Sequence, residues 1–211
     1  IPQHGKFERV ERGRNCALCS GDAMKWPFGR KQLAVPVTPV TTIIIPQSSF
    51  DNADTHSVPM AVVDFVNFVM REAMYLRDEI PNEALLSYHV DYYLAQVNNG
   101  GHGQFAGNSG WQEATIVDIQ YGLLAMGLNE ALEVFEGLML FAHEDPDRFV
   151  AAAEAGGFGD IDPIIKDLDD RFFAGPSMQI LAGNDHWLRT EAPLEIVPDT
   201  EHRARMTALA D

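Results

Sequence analysis

The stretch SGWQEATIVDIQYGLLAMGLNEALEVFEGLMLFA, residues 109–142, determines the fold. Ser109 stands three residues before Gln112, the spacing of a capping box, ahead of an apolar run that reaches Met126. Asn129 introduces a second run, EALEVFEGLMLFA, in the same way. Two helices joined by a short turn must pack antiparallel with their apolar faces together.

The same grammar recurs on both sides. Towards the N-terminus, Asn82 is placed to cap a helix through Leu85, Leu86, Val90, Tyr93, Leu94 and Val97, which Gly100 and Gly101 stop. A helix before it runs from Pro59 to about Asp78, since Val62, Phe65, Val66, Val69, Met70, Ala73 and Leu76 keep three- and four-residue steps. Towards the C-terminus, Asp145-Pro146 opens a short helix closed by Gly156 and Gly157, Asp162-Pro163 opens IIKDLDDRFFA, and a tail helix begins near Thr200. Residues 1–58 lack helical periodicity, and Leu33 to Ile45, LAVPVTPVTTIII, suits one or two short or edge strands. The expectation is a mainly α chain, an antiparallel helical bundle over residues 59–211, preceded by an irregular N-terminal arm, 1–58, containing those strands.

Hydrophobic residues make up 46% of the 211 and charged residues 22%, so the acidity is carried by a folded body rather than a disordered tail. No apolar stretch is long enough to cross a membrane. Cys16 and Cys19, the only cysteines, form a C-x-x-C pair and not a disulfide framework, which fits a reducing cytoplasm. The chain starts at Ile1, so a trimmed leader stays open.

The net charge of −16 is unevenly spread. Residues 1–31 carry seven basic groups against three acids, while residues 110–170 carry fourteen acids against Arg148 and Lys166 alone. Three quarters of the net charge lies in that second segment. Such a field repels nucleic acid and draws basic surfaces, so direct DNA binding by this body is disfavoured. Many acidic proteins are acidic for solubility alone, and that reading stands beside the functional one. Unpaired carboxylates are costly to bury, so these acids, Asp118 among them, are expected on the outside.

The stretch Tyr92 to Gly110, YYLAQVNNGGHGQFAGNSG, resembles the signature of the bacterial DNA-mimic protein family, formerly a domain of unknown function. Its matching parts are the helix ending in Val97, the Asn99-Gly100-Gly101 turn, Gln104-Phe105 and Asn108-Ser109. The small-residue pattern Ala114, Gly122, Ala125, Gly127 comes after it, and LDDRFFA at 168–174 extends the resemblance to roughly residues 60–175. His102 departs from the family pattern, which has an aromatic residue there. The resemblance implies an all-helical, commonly dimeric protein. Its best-understood kind occupies the DNA-binding face of a transcriptional regulator with an acidic surface.

Physics makes such imitation feasible. Carboxylates three or four residues apart on a helix have Cβ atoms about 5–6 Å apart, and the duplex presents one charge per about 1.7 Å of axis. Glu130, Glu133 and Glu136 have the spacing, with Asp118, Glu144, Asp145 and Asp147 extending the field. These seven are the candidate partner-binding residues.

Other sites are less complete. Cys16 and Cys19 supply half of a tetrahedral zinc site, with His4 or His56 as further ligands, but no second pair completes it, so no cofactor is expected. His102, Gln104, Asn108 and Ser109 could polarise a substrate, although glycine turns and a helix cap explain the same loop structurally. His143-Glu144-Asp145-x-Asp147 lacks the spacing of a calcium loop. No phosphate loop, nucleophile elbow or HExxH occurs. The reading that results is a noncatalytic acidic protein, a homodimer by resemblance, that binds a basic, DNA-binding protein. Its rivals are a small enzyme or ligand-binding protein using residues 98–109, and an interaction or immunity-type module with a partner unrelated to DNA.

Overall fold

A computed structural model of the chain describes residues 38–157 and 161–210, all within a unit that spans Pro36–Asp211. The first element is a strand, β1 (Ile43–Pro46), whose three isoleucines are at most 3% exposed. A single helical turn, α1 (Gln47–Asp51), leads to α2 (Ser57–Arg71). Val58, Val62, Phe65, Val66 and Val69 form its buried stripe. The helix ends seven residues earlier than the periodicity predicts. Met74 takes φ 60° and Tyr75 N–H turns back to the Val69 carbonyl, so Met74 and Leu76 continue the sequence pattern while lying exposed.

A 3-10 turn, Arg77–Glu79, precedes α3 (Asn82–Ser109), the longest element. Pro81, not Asn82, stands at its cap position; its fixed φ suits the entry and its carbonyl accepts from Ala84 N–H. The break at Gly100 and Gly101 is present, with Gly101 at φ 73°. Beyond it the chain does not form the expected loop but resumes as a second helical segment through Ser109. Its physical reason is an apolar face at helical spacing: His102, Phe105, Ala106 and Ser109 are all buried. Gly107 lies where a Cβ would sit 2.7 Å from the Ala153 carbonyl, so small residues there let another helix approach.

Ser109 does not cap the next helix. Its hydroxyl donates to the Ala106 carbonyl and accepts from Trp111 N–H, and the chain reverses through Gly110 (φ 57°) and Trp111 (φ 49°) before α4 (Glu113–Ala125). Next comes α5 (Asn129–Glu144), capped at Leu128 rather than Asn129. The Gln120 to Glu136 hydrogen bond, 3.2 Å across the connection, shows α4 and α5 antiparallel. Both Asp-Pro helices form as predicted. Asp145 accepts from Arg148 N–H at the start of α6 (Pro146–Ala155), and Asp162 accepts from Ile164 N–H at 2.8 Å at the start of α7 (Pro163–Phe173).

Two elements have no counterpart in the expected order, α8 (Pro176–Glu191) and β2 (Leu194–Val197); the tail helix is α9 (Asp199–Thr207). Strand β1 finds its partner here, and not within the arm. The two strands pair in parallel, Ile43 opposite Leu194 and Ile45 opposite Ile196, closing a connection of some 150 residues that no local pattern encodes.

Two apolar clusters result. One gathers α3 to α8 around Tyr93, whose ring lies 5.1 Å from those of Phe105 and Phe135 and 5.4 Å from Phe172. The other packs β1, α2 and the start of α3 against Leu188, Val197 and Met206. The architecture is mainly α, as expected, with one two-stranded parallel sheet.

Candidate functional site

Helix α5 sets the acidic surface. Ala131, Val134, Phe135, Leu138 and Phe141 take its inner side, which leaves Glu130, Glu133, Glu136 and Glu144 exposed. At 3.6 residues per turn these four fall within an arc of about 120°, and their Cα positions extend along about 21 Å of helix. The drift of three-residue steps is therefore reset by Glu144. Asp145, at the turn, and Asp147, in the first turn of α6, are also exposed. Glu136 accepts from Gln120, Glu130 from Gln179 and Asp145 from Arg148 N–H. None of the six carboxylates forms an ion pair within 4 Å among the described residues. Glu144 at the C-terminal end of α5 also opposes the helix dipole.

Asp118 does not belong to it. The expectation that it lies outside fails because two hydrogen-bond donors meet it inside: its side chain is 3% exposed, His89 Nδ1 lies 2.7 Å away, and Arg77 pairs with its other oxygen. Burial alone would raise the carboxyl's pKa, but the hydrogen bonds from His89 and Arg77 outweigh it and hold it below the usual aspartate range. The network ties the 3-10 turn and α3 to α4. An acid at a position adjoining Ile119 and Gly122 on the inner side of α4 was the available signal.

The signature segment proves to be the mechanism of the α3 break. Asn99 donates to Gln104, while Gln104 and Asn108 both donate to the Gln96 side chain, at 3.1 and 2.7 Å, lacing the helical turns on either side of Gly100 together. On the inner face, Phe105 enters the aromatic cluster and Asp169 of α7 receives two bonds from His102: the backbone N–H at 2.8 Å and Nδ1 at 2.6 Å. A carboxylate only accepts, so Nδ1 carries the hydrogen and, in the neutral ring, Nε2 accepts from Tyr93 O–H at 2.8 Å. Burial, with the Asp169 charge adding to it, pushes the Tyr93 hydroxyl well above its ordinary pKa, so it stays a donor. Gly101 is required twice: by its φ, and because a Cβ would meet Asp169 Oδ2 at 2.5 Å.

The acid that pairs with His102, Asp169, lies 67 residues on, beyond the reach of any local pattern. Its place between Ile165 and Phe172, both buried on α7, was the signal. An Asp-His-Tyr chain has the composition of a catalytic relay, yet His102 is 0% exposed and packed edge-on against Phe172. The ring is held inside the aromatic cluster rather than presented at the surface.

Of the metal candidates, Cys16, Cys19 and His4 lie outside the described residues, as does the basic stretch to residue 31. His56 is engaged with Asp91 at 3.3 Å. No group of three His, Cys, Asp or Glu side chains able to hold a metal occurs among the described residues, and no helix among them is long and apolar enough to cross a membrane.

Compared with known proteins, residues 78–191 match a family model described as DMP19-like protein. No curated protein and no solved structure matches. The matched span runs from the 3-10 turn to the end of α8, so it holds the α3 break, the His102 and Asp169 contact and the acidic α5. It is shifted towards the C-terminus relative to the 60–175 of the resemblance.

Proposed function

The chain belongs to the DMP19-like, DNA-mimic family, and from that premise we propose that it binds a basic, DNA-binding protein through the carboxylates of α5 and the α5–α6 turn. The observation that carries this reading is the exposed set Glu130, Glu133, Glu136 and Glu144 on one arc of α5, with Asp145 at its C-cap and Asp147 in the first turn of α6, none of them in an ion pair among the described residues. Rows of carboxylates stand in for phosphates, and the helix backbone sets their spacing before a partner arrives. The compartment that fits such a partner is the cytoplasm.

Magnitudes set what the row can do. Four carboxylates over about 21 Å give one per 5–7 Å, against one charge per about 3.4 Å of axis on a single DNA strand. Helix α5 alone thus offers about half of one strand. The interaction is electrostatic, so it is strong at low salt and falls steeply as salt rises.

The test is capture from cell lysate on the immobilised chain, followed by elution with duplex DNA. A protein held through its DNA-binding face must be released by DNA. Recovery of basic proteins that DNA and salt both displace supports the reading; capture indifferent to DNA overturns it.

A further inference from the structure

Helix α2 turns a second face away from its buried stripe. Asp64, Phe68 and Arg71 follow one another at steps of four and three residues, so they stand on one side of the helix along about 10 Å. The facing wall is α9. It is pinned at its start by Asp199, which accepts from Ser48 N–H at 3.0 Å, and in its last turn by the buried Met206. Between the two helices lies a cleft of about 520 Å³, with Phe68 and Met206 as its apolar lining. Small-molecule sites occupy about 300–1,000 Å³, so the space is of that class.

Charge sets this cleft apart from the rest of the surface. Of the eight lysines and arginines among the described residues, Arg77, Arg148, Lys166, Arg171, Arg189 and Arg205 each pair with a carboxylate. Arg71 and Arg203 have no such partner within 4 Å among those residues, and both line the cleft. The chain has a net charge of −16, so acids to neutralise them are abundant elsewhere. Two unneutralised guanidinium groups in one recess suit an anion, because their forked donors match the oxygens of a carboxylate or a phosphate alike. Asn67 adds a donor: its Oδ1 accepts from Tyr88 O–H at 3.4 Å, which leaves Nδ2 for a ligand.

We infer that the cleft between α2 and α9 binds a small organic anion, its carboxylate or phosphate held by Arg71 and Arg203 and its apolar body lying against Phe68 and Met206. Asp64 and Glu72 also line the cleft and limit the charge such a ligand carries. A polyanion would meet both carboxylates and the acidic field of the whole chain, whereas a compact molecule with one anionic group need not. Both helices lie outside residues 78–191, so the site is built from parts of the chain beyond the family match and does not rest on the α5 reading.

The experiment is an NMR titration of the full chain with three probes. Phenyl phosphate and benzoate join one aromatic body to the two head groups, and inorganic phosphate lacks the body. The wild type binds phenyl phosphate, benzoate or both with a Kd of about 1 mM or tighter, and inorganic phosphate at least tenfold more weakly. Whichever head group binds identifies the source. Arg71→Gln and Arg203→Gln each weaken binding at least tenfold, while Arg171→Gln, which removes an exposed cation on α7, leaves it unchanged. All three residues are exposed, and retained helical circular dichroism verifies the fold. Failure of both aromatic probes to bind, equal binding of inorganic phosphate, undiminished binding by the Arg71 and Arg203 variants, or the same loss from Arg171→Gln overturns the site.

Discussion

Replacing Asp169 by alanine removes the single acceptor of two buried donors, and its cost can be worked from the geometry. The carboxylate takes His102 N–H at 2.8 Å and His102 Nδ1 at 2.6 Å, and the ring is 0% exposed. A hydrogen bond to a charged group contributes about 1.5–3 kcal/mol, and a buried donor left unsatisfied costs about 1–3 kcal/mol. Because both bonds share one carboxylate the terms do not add fully, and about 2–4 kcal/mol is expected. That is a large share of the roughly 5–15 kcal/mol that holds a domain. The assay is urea denaturation followed by circular dichroism, comparing Asp169→Ala with Asp170→Ala on the next residue. Asp170 is exposed and, among the described residues, pairs with Lys166 alone, so its loss leaves the midpoint unmoved. Equal midpoints for the two variants would refute the argument that Asp169 holds the restarted helix to α7.

The glycine at the break gives a related contrast. Gly101→Ala is expected to cost more than the roughly 1–2 kcal/mol of a left-handed non-glycine residue, because its Cβ also displaces Asp169; Gly110→Ala, with open space around it, costs only the conformational part. Thermal midpoints distinguish them. Asp118 contributes a pH-dependent stability of definite sign. Its folded pKa lies below 3.8, so its contribution is complete above that value and is lost as pH falls through the lowered one. The stability gap between wild type and Asp118→Asn is therefore constant from about pH 5 upward and closes below about pH 4; a gap that widens in acid would contradict the buried network. Neutralising the row with Glu133→Gln, Glu136→Gln and Glu144→Gln is expected to leave the denaturation midpoint unchanged or slightly raised, since like charges are relieved. Urea titration checks it, and a large destabilisation would mean that these acids serve the fold.

Where structure is written in adjacent residues, the sequence could be read. Asp145-Pro146 and Asp162-Pro163 start helices because a cap and a fixed φ act within three residues, and the exposed acids of α5 are a consequence of its apolar stripe. Reading failed where a distant group decides. Asp118 goes inward only because Arg77 and His89, 41 and 29 residues away, meet it there. The segment after Gly101 looks like a glycine loop until its buried spacing is set against α6 and α7, and β2 forms because Ile43–Ile45 need a partner. Of the seven proposed contact residues, four on α5, Asp145 at its cap and Asp147 in α6 are exposed, and Asp118 is the one whose neighbours overrule its charge.

The most direct test of the central claim is DNA elution of lysate proteins captured on the wild type and on Glu133→Gln/Glu136→Gln/Glu144→Gln side by side. If α5 substitutes for phosphates, the wild type yields basic proteins that duplex DNA releases, and the triple variant yields at least tenfold less of the same proteins. Equal yields from the two, or proteins that DNA does not release, would contradict it.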